Sequence, residues 1–128
     1  MRAFILAGLF SLSAFAADAP PSDGVIQQRM VGTWRLNWHI LQSTTTIGTN
    51  GDYVRFDVSN DAHPQTNWYE GTINIRDGLW IDTLKKSSVT NQPVPHVFTN
   101  VIIRVTDREL LYRAQNESQQ ILLEKVRR

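Results

Sequence analysis

His39, His63 and His96 are the only imidazoles in this chain, and no two lie within four residues of each other. The spacing therefore carries no local metal motif. His63 precedes Pro64 and His96 follows Pro95, loop contexts in which an imidazole ordinarily stands in water. Asp57, Asp61, Glu70 and Asp82 are the carboxylates that can pair as acid and base, although carboxylates on strand faces usually meet solvent. A Ser-His-Asp set assembles only in space, and no Gly-x-Ser-x-Gly elbow supports one. The chain has no cysteine, which removes thiolate catalysis, zinc–thiolate sites and iron–sulfur clusters together. It has no phosphate loop and no glycine-rich dinucleotide turn. The expectation is a protein that is not an enzyme and holds no cofactor or metal.

The richer chemistry is aromatic. Trp34, Trp38, Trp68, Trp80, Tyr53, Tyr69, Tyr112, Phe56 and Phe98 fall within about 110 residues, enough rings either to fill a small core or to wall a pocket for a flat apolar ligand. Trp38, Phe56, Trp68, Trp80, Phe98 and Tyr112 are the candidate ligand contacts, with Tyr69 as a further hydrogen-bonding ring.

The elements that must position these rings are short strands. Trp34–Ile40 alternates apolar and polar residues, the period of a half-buried strand. Thr44–Ile47 is β-branched, and Asn50-Gly51 is a hairpin signal before Tyr53–Val58, whose Val54, Phe56 and Val58 share a face. Trp68–Ile75 follows, with Gly71 a candidate bulge. Leu79–Leu84 lies beyond the Arg76-Asp77-Gly78 turn, and Val97–Val105 places Val97, Val101, Ile103 and Val105 on one face. Leu110–Arg113 and Ile121–Val126 complete the series. About eight strands joined by short connections predict an all-β, antiparallel up-and-down barrel or half-barrel. The loops Ser59–Thr66 and Lys85–Pro95 are the longest, and loops on a rigid scaffold commonly carry recognition.

Residues 1–16 have the order of a secretory signal: Arg2, an apolar run from Ala3, and small residues at Ala14 and Ala16. The run is shorter than the roughly 20 residues of a membrane span. An exported protein, periplasmic or secreted and without a transmembrane segment once processed, is the expectation. Residues 17–31 are a Pro-rich lead-in and one helical turn, with Ser22 or Asp23 as N-cap and Val25, Ile26 and Met30 able to plug a barrel end. Residues 32–128 form the barrel domain. With Arg2 set aside, 12 basic residues face 12 acidic ones, so nothing draws the chain to nucleic acid. A domain of this size buries roughly 65% of its unfolded surface and must hold itself by its core alone.

Gly32-Thr33-Trp34 at the head of the first strand resembles the lipocalin signature. Val31-Gly32-Thr33-Trp34, Gly51-Asp52-Tyr53, Leu110-Leu111-Tyr112-Arg113 and Ile121-Leu122-Leu123-Glu124-Lys125 together are similar to the small secreted bacterial lipocalin-like (calycin) domains. The resemblance implies a ligand cup whose closed end is sealed by Trp34, with a basic side chain from the last strands over its ring. Arg113, Lys125 and Arg127 are the candidates for that base. The chain is shorter than typical lipocalins and lacks their disulfide and C-terminal helix, so a shallow or filled cup fits it as well.

Three functions follow from these expectations. A carrier shelters a small apolar molecule in an open apolar cup. An inhibitor, immunity factor or assembly accessory binds a protein through loops or a surface patch over a filled barrel. An enzyme needs polar groups converging inside, with Arg55, His39 or Glu70 turned inward. The sequence leaves monomer and dimer equally open.

Overall fold

The structure is a computed structural model and describes residues 19–127. The signal segment expected at residues 1–16 lies outside the described residues. Among the described residues one helix, α1 (Asp23–Met30), precedes eight strands: β1 (Gly32–Asn37), β2 (Leu41–Ile47), β3 (Asp52–Ser59), β4 (Thr66–Arg76), β5 (Leu79–Ser87), β6 (His96–Val105), β7 (Glu109–Ala114) and β8 (Gln120–Lys125). Each pairs antiparallel with the next, and β1 meets β8, so the sheet closes into an up-and-down barrel. Closure rests on the shortest ladder in the molecule, Trp34 opposite Lys125 and Arg35 opposite Glu124. Closing the sheet removes the unpaired edge that an open meander would expose. Among the described residues no helix is long and apolar enough to cross a membrane.

An even meander sends alternate connections to opposite ends. The turns after β2, β4 and β6 share one end with α1, and the connections after β1, β3, β5 and β7 share the other. Helix α1 begins because Ser22, in extended conformation, accepts from the Val25 amide through Oγ. It lies across its end of the barrel and buries Ile26 and Met30, while Val25 stays exposed. Asp23 reaches over to accept from the amides of Asp77 and Gly78 at 2.8 and 2.9 Å, tying the helix to the β4–β5 turn. Arg29 donates to the Val105 carbonyl at the end of β6.

Beneath the helix, Met30, Trp34, Ile47, Ile75, Val105, Leu110 and Leu123 form a dry layer. Trp34 is fully buried and its indole N–H donates to the Met30 carbonyl at 2.8 Å. Lys125 carries its ammonium 5.0 Å from the centre of the Trp34 ring and donates to the Arg29 carbonyl. The base over Trp34 is therefore Lys125. Arg113 is occupied elsewhere, donating to the carbonyls of Ala114, Gln115 and Glu117 in the β7–β8 turn, and Arg127 is exposed beyond β8. The reason is register: Lys125 is the direct partner of Trp34, whereas Arg113 sits across from Gln120 toward the far end. Gly32 makes room for this arrangement. Its φ is +134°, and a Cβ there would stand 3.1 Å from the Lys125 stem.

Two strands depart from the expected inward face. The inward side of β3 is Tyr53, Arg55 and Asp57, so the apolar face Val54, Phe56 and Val58 is the outer one. On β6 the inward residues are Phe98, Asn100 and Ile102, and a register shift between Ile102 and Arg104 then turns Val105 inward. Val97, Val101 and Ile103 therefore do not share the face of Val105. The bulge expected at Gly71 is present, as a register shift between Glu70 and Gly71. Strand β1 ends earlier than its alternation predicts, because the Trp38 amide bonds the Leu41 carbonyl and turns the chain.

Candidate functional site

Above the dry layer the barrel is hollow. A cavity of about 350 Å³ opens toward the loops after β1 and β5, within the range of roughly 300–1,000 Å³ common for small-molecule sites. The rings do not fill the cup because two of them are elsewhere. Phe56 is 47% and Trp68 36% exposed; they are cross-strand partners on the outer face and line no part of the cavity. Small inward residues, Ser43, Thr45, Asn100 and Ala114, keep the remaining space open.

The other ring candidates surround the cavity. Trp80 and Tyr112 meet edge to face at 4.8 Å on one wall. Trp38 and Phe98 line it and remain partly exposed, with His96 packed edge-on against Phe98. Tyr69 on β4 also lines it and carries the Arg55 guanidinium 4.0 Å above its ring. His39 and His63 are exposed, and neither they, Glu70 nor Asp61 line the cavity. Among the described residues no group of three His, Asp or Glu is placed to hold a metal.

The interior is largely apolar, as a carrier for apolar molecules requires, but one side of it is charged. Arg55 and Asp57 form an ion pair at 3.3 Å on β3, and Asp82 projects from β5. Gly71 on β4 lies between Tyr53 on β3 and Leu84 on β5. Because it has no side chain, the Tyr53 ring lies over its backbone and turns its hydroxyl toward Asp82. Burial pushes the Asp82 carboxyl above the usual carboxylate range, opposed by Tyr53 and Arg55. Burial likewise pushes the Tyr112 phenol up to about 12, and burial together with the neighbouring Asp82 raises Tyr53 well above an ordinary phenol.

Four buried polar atoms have no hydrogen-bond partner among the described residues: Arg55 Nε, Asp57 Oδ1, Trp80 Nε1 and Asp82 Oδ1. The first two are close but not aligned, so each keeps unused capacity. Buried polar groups are ordinarily paired, and leaving one unmade costs about 1–3 kcal/mol. All four belong to residues that line the one cavity. Two donors and two acceptors are thus held ready beside aromatic walls.

The hairpin register was the signal for the inward polar face. Ile47 and Tyr53 flank the Asn50-Gly51 turn as direct partners and therefore share a face, and Arg55 and Asp57 follow Tyr53 at intervals of two. Nothing in the sequence brings Asp82 to Tyr53; that needs β4 between them.

A titration follows from the Asp82 shift. The folded carboxyl holds its proton to higher pH than the unfolded one, so between the two values the native state binds more protons and stability falls as pH rises. Stability curves of the wild type and Asp82→Asn should therefore converge below about pH 4 and diverge above it, with the variant the more stable. Parallel curves from urea melts across that range would show that Asp82 is not desolvated.

No protein-family model and no curated protein matches this sequence, so the functional reading rests on the arrangement of its own residues.

Proposed function

We propose that the protein is an exported, lipocalin-like carrier that holds a small molecule with an apolar body and a polar end inside the barrel. The observation that carries this reading is the convergence of four buried polar atoms without a hydrogen bond, two of them joined as an ion pair, on a single ring-walled cavity. A cavity walled only by apolar groups is stable empty, whereas buried unpaired donors and acceptors favour an occupant that completes them. The secretory character of residues 1–16 and the Gly-x-Trp closure at Gly32 and Trp34 support the exported, lipocalin-like part of the proposal. In a bacterium the place of action would be the periplasm or the medium.

Native mass spectrometry of the protein purified from its own host tests this directly. A single bound mass is expected. Ala114→Trp, which puts a ring into the cavity from the end of β7, should remove that mass while the barrel still melts cooperatively. Bare protein before and after the substitution, with no displaceable ligand, would sink the carrier reading. The outward pair Phe56 and Trp68 favours the second reading, a protein-binding module. A stoichiometric protein partner lost on Phe56→Ser, with an empty cup, would establish that reading instead.

A further inference from the structure

The ligand's polar end can be named from the charges that line the cavity, an inference that rests on the carrier reading above. Among the described residues three charged side chains line it: Arg55, Asp57 and Asp82. Arg55 and Asp57 stand 3.3 Å apart and neutralise each other, and stacking on Tyr69 fixes the guanidinium where it is. Asp82 has no cation within ion-pair distance among the described residues, and its Oδ1 is buried without a hydrogen-bond donor. When Asp82 is ionised the cavity carries one net negative charge in a desolvated place.

The surroundings of Asp82 do not supply the missing charge. Strands β4 and β6, paired to either side, set Ile73 and Phe98 opposite it, and neither titrates. Strand β3 offers the Tyr53 hydroxyl, with Arg55 beyond it already paired to Asp57, and β7 offers the Tyr112 phenol. Trp80, two residues earlier on the same strand and face, adds a ring. Aromatic faces attract cations, most strongly when both are desolvated. An anionic ligand could take the free Arg55 Nε donor, but it would do so beside Asp57, which shares that charge, and would face Asp82 unshielded.

We propose that the cup binds a monocation, a protonated amine on a flat or chain-like apolar body, with the ammonium on Asp82 and the body against Trp80, Tyr112 and Phe98. The ammonium brings both the charge and the donors that Asp82 Oδ1 lacks, and a charge-assisted hydrogen bond is about twice as strong as a neutral one. Binding then draws Asp82 into its ionised form. Since burial favours the protonated carboxyl, amine affinity should rise with pH as that proton is lost.

The test is titration calorimetry of the protein with two matched sets of probes: octylamine, octanol and octanoate, and tryptamine, 3-methylindole and indole-3-propionate. Each amine should bind about 10- to 100-fold more tightly than its neutral counterpart, and each carboxylate most weakly. Asp82→Asn should collapse the amine-to-neutral ratio toward one. Amine affinity of the wild type should increase as pH rises above the ordinary carboxylate range of about 4, a readout that stands whether or not the variant folds. Equal binding of amine and neutral probes, tighter binding of the carboxylates, or amine affinity that does not increase with pH would overturn the assignment while leaving the carrier reading in place. Absence of binding by every probe would overturn both.

Discussion

Replacing Trp34 by alanine should cost about 3–5 kcal/mol, the range for deleting a large ring from a well-packed core. The side chain is wholly buried beneath α1, so the loss includes its apolar contacts with the layer around Met30, Leu110 and Leu123. It also includes the indole bond to the Met30 carbonyl and the ring under Lys125. A domain of this size is stable by about 5–15 kcal/mol in total, so the substitution removes a large fraction of it. Lys125→Met separates the contributions. It keeps most of the stem against Gly32 and removes the ammonium, and should cost about 0.5–2 kcal/mol. Urea melts of both variants provide the check. A Trp34→Ala midpoint equal to that of the wild type would mean that the helix end of the barrel is not sealed by this residue.

Gly71→Ala should be the next most damaging change, and for a different reason. A Cβ at this position would run into the Thr83 backbone carbonyl and the Tyr53 ring, the latter at 2.9 Å. The carbonyl belongs to the β4–β5 ladder and cannot withdraw without breaking it. The ring can rotate, but only by taking its hydroxyl away from Asp82. Overpacking of this kind costs typically about 1–3 kcal/mol, and the rigid backbone contact places this site at the upper end. Two measurements should move together: a lower midpoint in thermal melts, and a tyrosine near-ultraviolet signal changed by displacement of Tyr53. Gly24→Ala is the control. Its added methyl meets nothing within 4 Å and lies in a helix, so it should be neutral or slightly stabilising. A Gly71→Ala protein as stable as that control would mean that β3, β4 and β5 do not approach as described.

The effects of these two substitutions separate the halves of the molecule. Trp34 serves the dry end, where helix, strand seam and Lys125 meet. Gly71 serves the wall of the cup, where its missing side chain lets residues of β3 and β5 converge. The approach of Tyr53 to Asp82 therefore depends on an absence of bulk on the strand between them.

Much of this architecture is legible in the sequence. Eight runs of alternating or β-branched residues, punctuated by turns such as Asn50-Gly51 and Asp77-Gly78, specify the strands and their meander, because each signal is local and each turn joins neighbours in the chain. Ser22 before a short helical turn, Gly71 as a bulge and Trp34 at the head of β1 are legible for the same reason. What only the tertiary structure decided is which face of each strand looks inward. A period of two says that a strand has an apolar and a polar side, but a hollow barrel does not require the apolar side to be the inner one. On β3 it is the outer, which sends Phe56 and Trp68 outside and brings Arg55 and Asp57 in; on β6 a bulge reverses the parity part-way along. The meeting of Tyr53 with Asp82, and of Lys125 with Trp34, joins residues far apart in the chain through ring closure and register, and no local pattern encodes either.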